Sequence, residues 1–167
     1  MFTTADIVNE LEKFSPNVLI VGDRIQDDRI SSFEDAHHLQ LPSEYKELIT
    51  GFNGLELPGN TIFGIGDNGF PETLESVYDR EHSQVESPQP GYLVPFSTDG
   101  SGNFYCFDTR FVADDSTDCP IVFWESNLSS PENDPELVNE SFYEWMMEIF
   151  ISWTLDLIHH DGSPNDQ

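Results

Sequence analysis

Three strand-forming segments crowd the middle of the chain and constrain its fold more than any other feature. They are Gly91 to Ser97, Asn103 to Asp108 and Cys119 to Glu125. In the second, Phe104, Cys106 and Asp108 alternate with Tyr105 and Phe107. Both faces therefore carry bulk, the pattern of a strand with neighbours on each side. Asp99-Gly100-Ser101-Gly102 joins the first two segments as a hairpin. Helical patterns lead the chain and another closes it. The expected class is α+β: a single domain with a largely antiparallel central sheet, flanked by N-terminal, middle and C-terminal helices.

The flanks give the detail. Thr3 or Thr4 can cap a first helix with Ile7, Leu11 and Phe14 at helical spacing, stopped by Ser15-Pro16. Val18 to Val21 reads as a short strand, residues 23–32 as loop, and Phe33 to Leu39 as a helical turn. Ser43 is the expected cap of a helix that puts Tyr45, Leu48, Ile49 and Phe52 on one face and ends at Asn53-Gly54. Thr61 to Phe63 reads as a strand, residues 72–82 as a helix behind Pro71, and residues 83–90 as a linker. Residues 126–140 are polar. Ser141 and Glu144 suggest a capping box for a last helix, with Phe142, Trp145, Met146, Ile149, Trp153 and Leu157 along one apolar stripe; such a helix packs on more than one side or meets a partner. The wide apolar surface of that helix also permits a homodimer. The domain is expected to span residues 1–160, with 161–167 a frayed tail.

The charge excludes whole classes of function. Of 167 residues, 32 are Asp or Glu and 6 are Lys or Arg, a net charge of -26. Lys13, Arg24, Arg29, Lys46, Arg80 and Arg110 are scattered. Nucleic-acid binding needs cations that replace phosphate counterions, and an anionic membrane repels such a chain, so neither partner is expected. The expected macromolecular partner is a basic protein. Phe142 to Ile158, the most apolar stretch, contains Glu144, Glu148 and Asp156 and is not a membrane span. The N-terminus lacks the basic and apolar regions of a signal peptide, and two cysteines, Cys106 and Cys119, make no disulfide framework. The expected compartment is the cytoplasm, with both thiols reduced.

Catalytic and ligand motifs are weak. Gly64-Ile65-Gly66-Asp67-Asn68-Gly69 is a literal G-x-G-x-x-G, but Pro71 interrupts its register and no βαβ unit surrounds it. The segment from Asp99 opens like a calcium loop, yet Phe104 stands where glycine is needed and Arg110 where an acid is. His37-His38 and His159-His160 are adjacent pairs whose members point about 100° apart on a helix. No nucleophile motif is present. The expectation is no catalytic residue, no metal and no cofactor.

Three ordered segments carry a resemblance. They are Leu41-Pro42-Ser43-Glu44-Tyr45 through Asn53-Gly54, then Pro95-Phe96-Ser97-Thr98-Asp99-Gly100-Ser101-Gly102-Asn103 running on to Asp108, then Pro120-Ile121-Val122-Phe123-Trp124. Their order resembles the SUKH superfamily, whose members include the fungal cell-wall assembly regulator and many bacterial immunity proteins. Coverage is roughly residues 33–125. The resemblance implies an α+β fold without catalysis and, for a bacterial member, neutralisation of a cognate toxin, often a nuclease. Pro42, Tyr45, Asn53, Gly54, Pro95, Asp99, Gly100, Gly102, Asn103 and Asp108 sit on the family pattern. Most read as structural: Gly54, Gly100 and Gly102 for unusual backbone angles, Asn53 at a helix end, Asp99 and Asp108 bonding one hairpin turn. The family also allows a non-catalytic intracellular scaffold or regulator that binds an endogenous protein. Asp67, Asp99, Asp114, Asp115, Asp118 and Glu125 are the candidate partner-binding acids, with Tyr105 and Trp124 as candidate exposed aromatic anchors.

Overall fold

The structure, a computed structural model, describes residues 1–26, 28–112 and 119–166. Seven strands form one antiparallel sheet in which spatial order follows sequence order: β1 (Ile20–Val21), β2 (Leu55–Leu57), β3 (Asn60–Ile62), β4 (Leu93–Thr98), β5 (Phe104–Asp108), β6 (Ile121–Trp124) and β7 (Glu136–Asn139). All five β5 residues are buried between β4 and β6, as the two-sided bulk of that segment requires. Pro95 lies where the β4–β5 register shifts, between Pro95 and Ser97. A bulge is one of the few sheet positions that tolerates a missing N–H.

The helices are α1 (Thr4–Leu11), α2 (Arg29–His37), α3 (Ser43–Gly51), α4 (Leu74–Ser83) and a long closing helix, α5 (142–157). Thr3 and Asp6 cap α1 reciprocally, which aims Ile7 and Leu11 into the core. α3 and α5 cover one sheet face. There Tyr45 meets Phe107 and Phe142, and Trp145 stands edge-on to Phe96 with centroids 4.8 Å apart. α4 and the segment after it cover the other face, where the Cys106 thiol meets Gln89. α2 leans on α4 through Phe33 and Tyr78.

Several sequence expectations are corrected. Residues 29–32, read as loop, open α2; only Phe33 in that helix is buried, so it carries no apolar stripe to read. Ser43 does not cap α3. It lies inside the helix, and Pro42 takes the cap position in an extended conformation. β2 and β7 lie in segments without a readable strand pattern. Each is three or four residues long, and β7 is half polar on its exposed positions.

Ser141 caps α5 by accepting from the Glu144 amide, and a second free amide of the first turn is satisfied by Glu44 of α3. Its carboxylate accepts from the Tyr143 amide at 3.0 Å and places a negative charge at the helix N-terminus. The tail is bound back rather than frayed. Ser15 donates to the His160 carbonyl, the His159 and Asn165 amides donate to Ser163 and Leu157, and Ile158 bridges Pro164.

α5 departs most from expectation. It starts as α-helix (Phe142–Trp145), widens into a π-helical stretch (Met146–Ser152) and resumes as α-helix (Trp153–Leu157). The Trp153 amide donates to the Glu148 carbonyl, five residues back. The wider turn inserts one extra residue and delays the buried face. Phe142, Trp145, Met146, Ile149 and Phe150 are buried as an apolar stripe demands, but Thr154 then takes the core position, 2 % exposed. Trp153 and Leu157 are left 51 % and 70 % exposed.

Candidate functional site

Several of the family-pattern residues form an interior frame. The Asn53 side chain pairs with the backbone of Ile65 twice: its Nδ2 donates to the Ile65 carbonyl and its Oδ1 accepts from the Ile65 amide, both at 2.8 Å. Asn68 donates to the Asn53 carbonyl at 2.7 Å, and Tyr45 donates its hydroxyl to the Phe63 carbonyl at 2.6 Å. The expected helix-end role of Asn53 is therefore a clamp between α3 and the loop after β3. Gly64 is required by that approach, since a Cβ there would lie 2.5 Å from Asn53 Oδ1. Gly54, Gly100 and Gly102 hold positive φ of 97°, 79° and 89°, as read from the motif.

The glycine loop 64–69 offers no vacant anion cradle at Gly66. Its amide donates to the Glu75 carboxylate, so an acid of the chain itself occupies the site a phosphate would use. Asp99 organises the β4–β5 hairpin: Oδ1 accepts from the Ser101 and Asn103 amides at 2.7 and 3.1 Å, and Oδ2 from Asn103 Nδ2. Asn103 in turn accepts from the Ser126 amide, tying the hairpin to the end of β6. Asp108 does not bond that turn. It sits at the opposite end of β5, buried, and binds the Arg110 guanidinium through both oxygens at 3.0 and 2.7 Å. Arg110 also stacks over Tyr92, 3.9 Å from the ring centre.

The candidate partner-binding acids do not converge. Asp99 and Glu125 lie at one end of the sheet, where Phe104 pairs with Trp124; Asp67 lies in the loop after β3, at the other end. Asp114, Asp115 and Asp118 fall outside the described residues. Tyr105 and Trp124 are corrected: they are 8 % and 1 % exposed, and neither is a surface anchor. Tyr105 packs on Trp145 beneath α5 because its strand has a layer on both faces.

The thiols are shielded. Cys106 and Cys119 are both free and buried, and burial pushes both thiols well above the ordinary cysteine range, which holds them as unreactive S–H groups. The histidine pairs do not meet: His37 packs between Phe33 and Tyr78, with burial lowering its pKa, while His160 packs on Phe14. Among the described residues no group of three His, Cys, Asp or Glu side chains is placed to hold a metal ion. Among the described residues no helix is long and apolar enough to cross a membrane.

What the surface offers is acid and a few apolar side chains. Lys13, Lys46, Arg80 and Arg110 are each paired with an acid of the chain. Phe111 and Leu137 are 59 % and 53 % exposed beside an open cleft of about 330 Å³ floored by Pro120 and Val122. Trp153 and Leu157 stand on α5. Sequence reasoning put that pair on the same stripe as the buried Trp145 and Ile149, because hydrophobic periodicity assumes an unbroken α-helix.

A crystal structure of a protein from Pseudomonas syringae pv. tomato has the same fold, with a TM-score of 0.62 and 16 % identity over 87 % of this chain and 96 % of that one. No curated protein matches the chain. A family model described as SMI1-KNR4 cell-wall (SUKH_6) matches residues 27–146, from just before α2 into the first turn of α5. The match takes in the Asn53 clamp, the Asp99 hairpin and six of the seven strands, and the chain belongs to the SUKH (SMI1-KNR4) family.

Proposed function

We propose that this protein is an immunity protein: it acts by binding rather than catalysis, in the cytoplasm, and neutralises a cognate basic protein toxin, a nuclease being the chemistry that fits best. The observation that carries the reading is the uncompensated acid, 32 carboxylates against 6 cations, on a family fold whose motif residues Tyr45 and Asn53 are spent on internal structure. A nuclease is cationic where it grips phosphate. A strongly negative protein complements that surface and associates quickly, with rates that reach about 10⁸–10⁹ M⁻¹s⁻¹ at low salt and fall as salt rises. The shielded thiols and the self-occupied glycine loop support a non-catalytic role.

A mixture of the purified protein with the product of a toxin-like gene encoded beside its own tests this. Stoichiometric inhibition of the toxin, weakened by salt, is expected. Full toxin activity in the presence of excess protein would overturn the reading. The family model's description, with its cell-wall term, favours a second reading, in which the same fold serves as a scaffold or regulator of an endogenous protein. Association with a housekeeping partner and no effect on the toxin is the outcome that would select it.

A further inference from the structure

The π-helical stretch has a cost and a product. A half-exposed tryptophan forgoes much of the stabilisation its burial would bring. The extra residue nevertheless puts Thr154, not Trp153, against the core. The product is an outward stripe on α5 that runs Glu144, Glu148, Ser152, Trp153, Asp156 and Leu157, all exposed. Trp153 and Leu157, four residues apart, lie on one face. Acids stand before, beside and between them, and residues 111–167 contain no Lys or Arg at all. Glu148 is additionally oriented by Asn139, whose Nδ2 donates to it at 2.8 Å.

Charge selects the occupant. A second copy of this chain would bring the same acids against the stripe, and an anionic lipid surface would repel it. A basic helix with one apolar face complements it: an apolar ridge accepts Trp153 and Leu157, and flanking Lys or Arg side chains meet Glu144, Glu148 and Asp156. We propose that the outer stripe of α5 is the docking ridge for a basic amphipathic helix of a protein partner, with Trp153 and Leu157 as its apolar anchors. This rests on the basic-partner reading given above and assigns it a place on the molecule.

Trp153 reports on its own docking, because Trp124 and Trp145 are only 1 % and 0 % exposed. The probe is a synthetic amphipathic helix of Leu and Lys without Trp or Tyr, titrated at low salt, alongside a Lys-Gly peptide of equal charge with no apolar face. The amphipathic peptide is expected to shift Trp153 emission to the blue, and salt to reverse the shift. A W153S/L157S double variant is expected to bind about thirtyfold more weakly or worse, as an aromatic anchor predicts. It should still melt cooperatively with only a small loss in melting temperature, since Trp153 is half-exposed and Leu157 mostly exposed. E144Q/D156N should weaken binding at low salt and flatten its salt dependence.

Undiminished binding of the amphipathic peptide by W153S/L157S, read by calorimetry, would overturn the placement on α5 while leaving the basic-partner reading intact. Failure of both cationic peptides to bind the wild type would overturn both. A blue shift that grows with protein concentration alone would assign the ridge to a second copy. A blue shift on zwitterionic vesicles would assign it to lipid. Either result would overturn the proposal.

Discussion

Asn53 shows how much of the family pattern is internal carpentry. Its side chain satisfies both the amide and the carbonyl of Ile65 in a site 1 % exposed. Asn53→Ala would leave both backbone groups buried without that partner, at about 1–3 kcal/mol for each unsatisfied group. A loss of about 3 kcal/mol in urea unfolding is expected, and a loss under about 0.5 kcal/mol would mean that water or another side chain replaces the clamp. The tyrosines add a pH dependence. Burial raises the hydroxyls of Tyr45, Tyr78 and Tyr105, and pushes Tyr143 up to about 12 from its ordinary 10.0. A group whose pKa is higher folded than unfolded gives its stabilisation in full below the unfolded value. That stabilisation is lost as pH climbs through the folded value. The fold should therefore weaken from about pH 10 upward, with tyrosinate absorbance appearing together with unfolding. Tyrosinate that forms well before any loss of structure would contradict it. His37 acts oppositely: burial lowers its pKa, so its contribution is complete above the ordinary histidine value and fades as pH falls below it.

Elements were legible where one principle ruled them. Alternating bulk located β5, a polar cap and a 3.6-residue period located α1, and the glycine hairpin located the β4–β5 turn. They were illegible where tertiary context decided. β2 and β7 are held by a neighbour on one side or both rather than by their own propensity, α2 buries one side chain, and Glu44 adds to the Ser141 cap from 99 residues away along the chain. Of the proposed contact residues, Tyr105 and Trp124 failed because aromatic residues in a two-faced strand are core, and Trp153 escaped because no periodicity argument anticipates a π turn. That turn makes its own prediction. Deletion of Ser152, an exposed residue in the π stretch, should restore a plain α-helix and leave Thr154 in the core. A small change in stability, about 1 kcal/mol, is expected. Insertion of one alanine after Ser152 should instead turn Thr154 and Ile158 out of place and cost several times more. Thermal melts of the two variants decide it: equal losses would show that the π turn is not the source of the register.

At the scale of the whole molecule, charge opposes compactness. Lys13, Lys46, Arg80 and Arg110 are already engaged, and six cations against 32 acids leave a net charge of -26 uncompensated. Raising NaCl from about 0.01 M to about 1 M shortens the screening length from about 30 Å to about 3 Å. Screening should relieve self-repulsion more than it weakens the surface ion pairs, each of which contributes about 1 kcal/mol or less. The melting temperature is expected to rise by several degrees over that range; a fall would show that the ion pairs dominate. The composition alone allowed this argument, because net charge needs no fold. Where the acids gather did need one: Asp67 and Asp99 are exposed or half-exposed at opposite ends of the sheet.

The strict sequence order of the sheet also bears on how the chain reaches this state. Each strand from β2 to β7 hydrogen-bonds to the strand before it, so every pairing in the sheet is with the next strand in sequence. A nascent chain can add strands one after another as it leaves the ribosome, with loop-closure entropy spent in small steps. The exception is the sheet face that holds Phe96 and Phe107: Tyr45 of α3 covers part of it, and the rest stays uncovered until Phe142 and Trp145 arrive. Docking of α5 is then the late, rate-setting event, and a ribosome stalled before residue 142 should hold a sticky, chaperone-seeking intermediate rather than a folded domain.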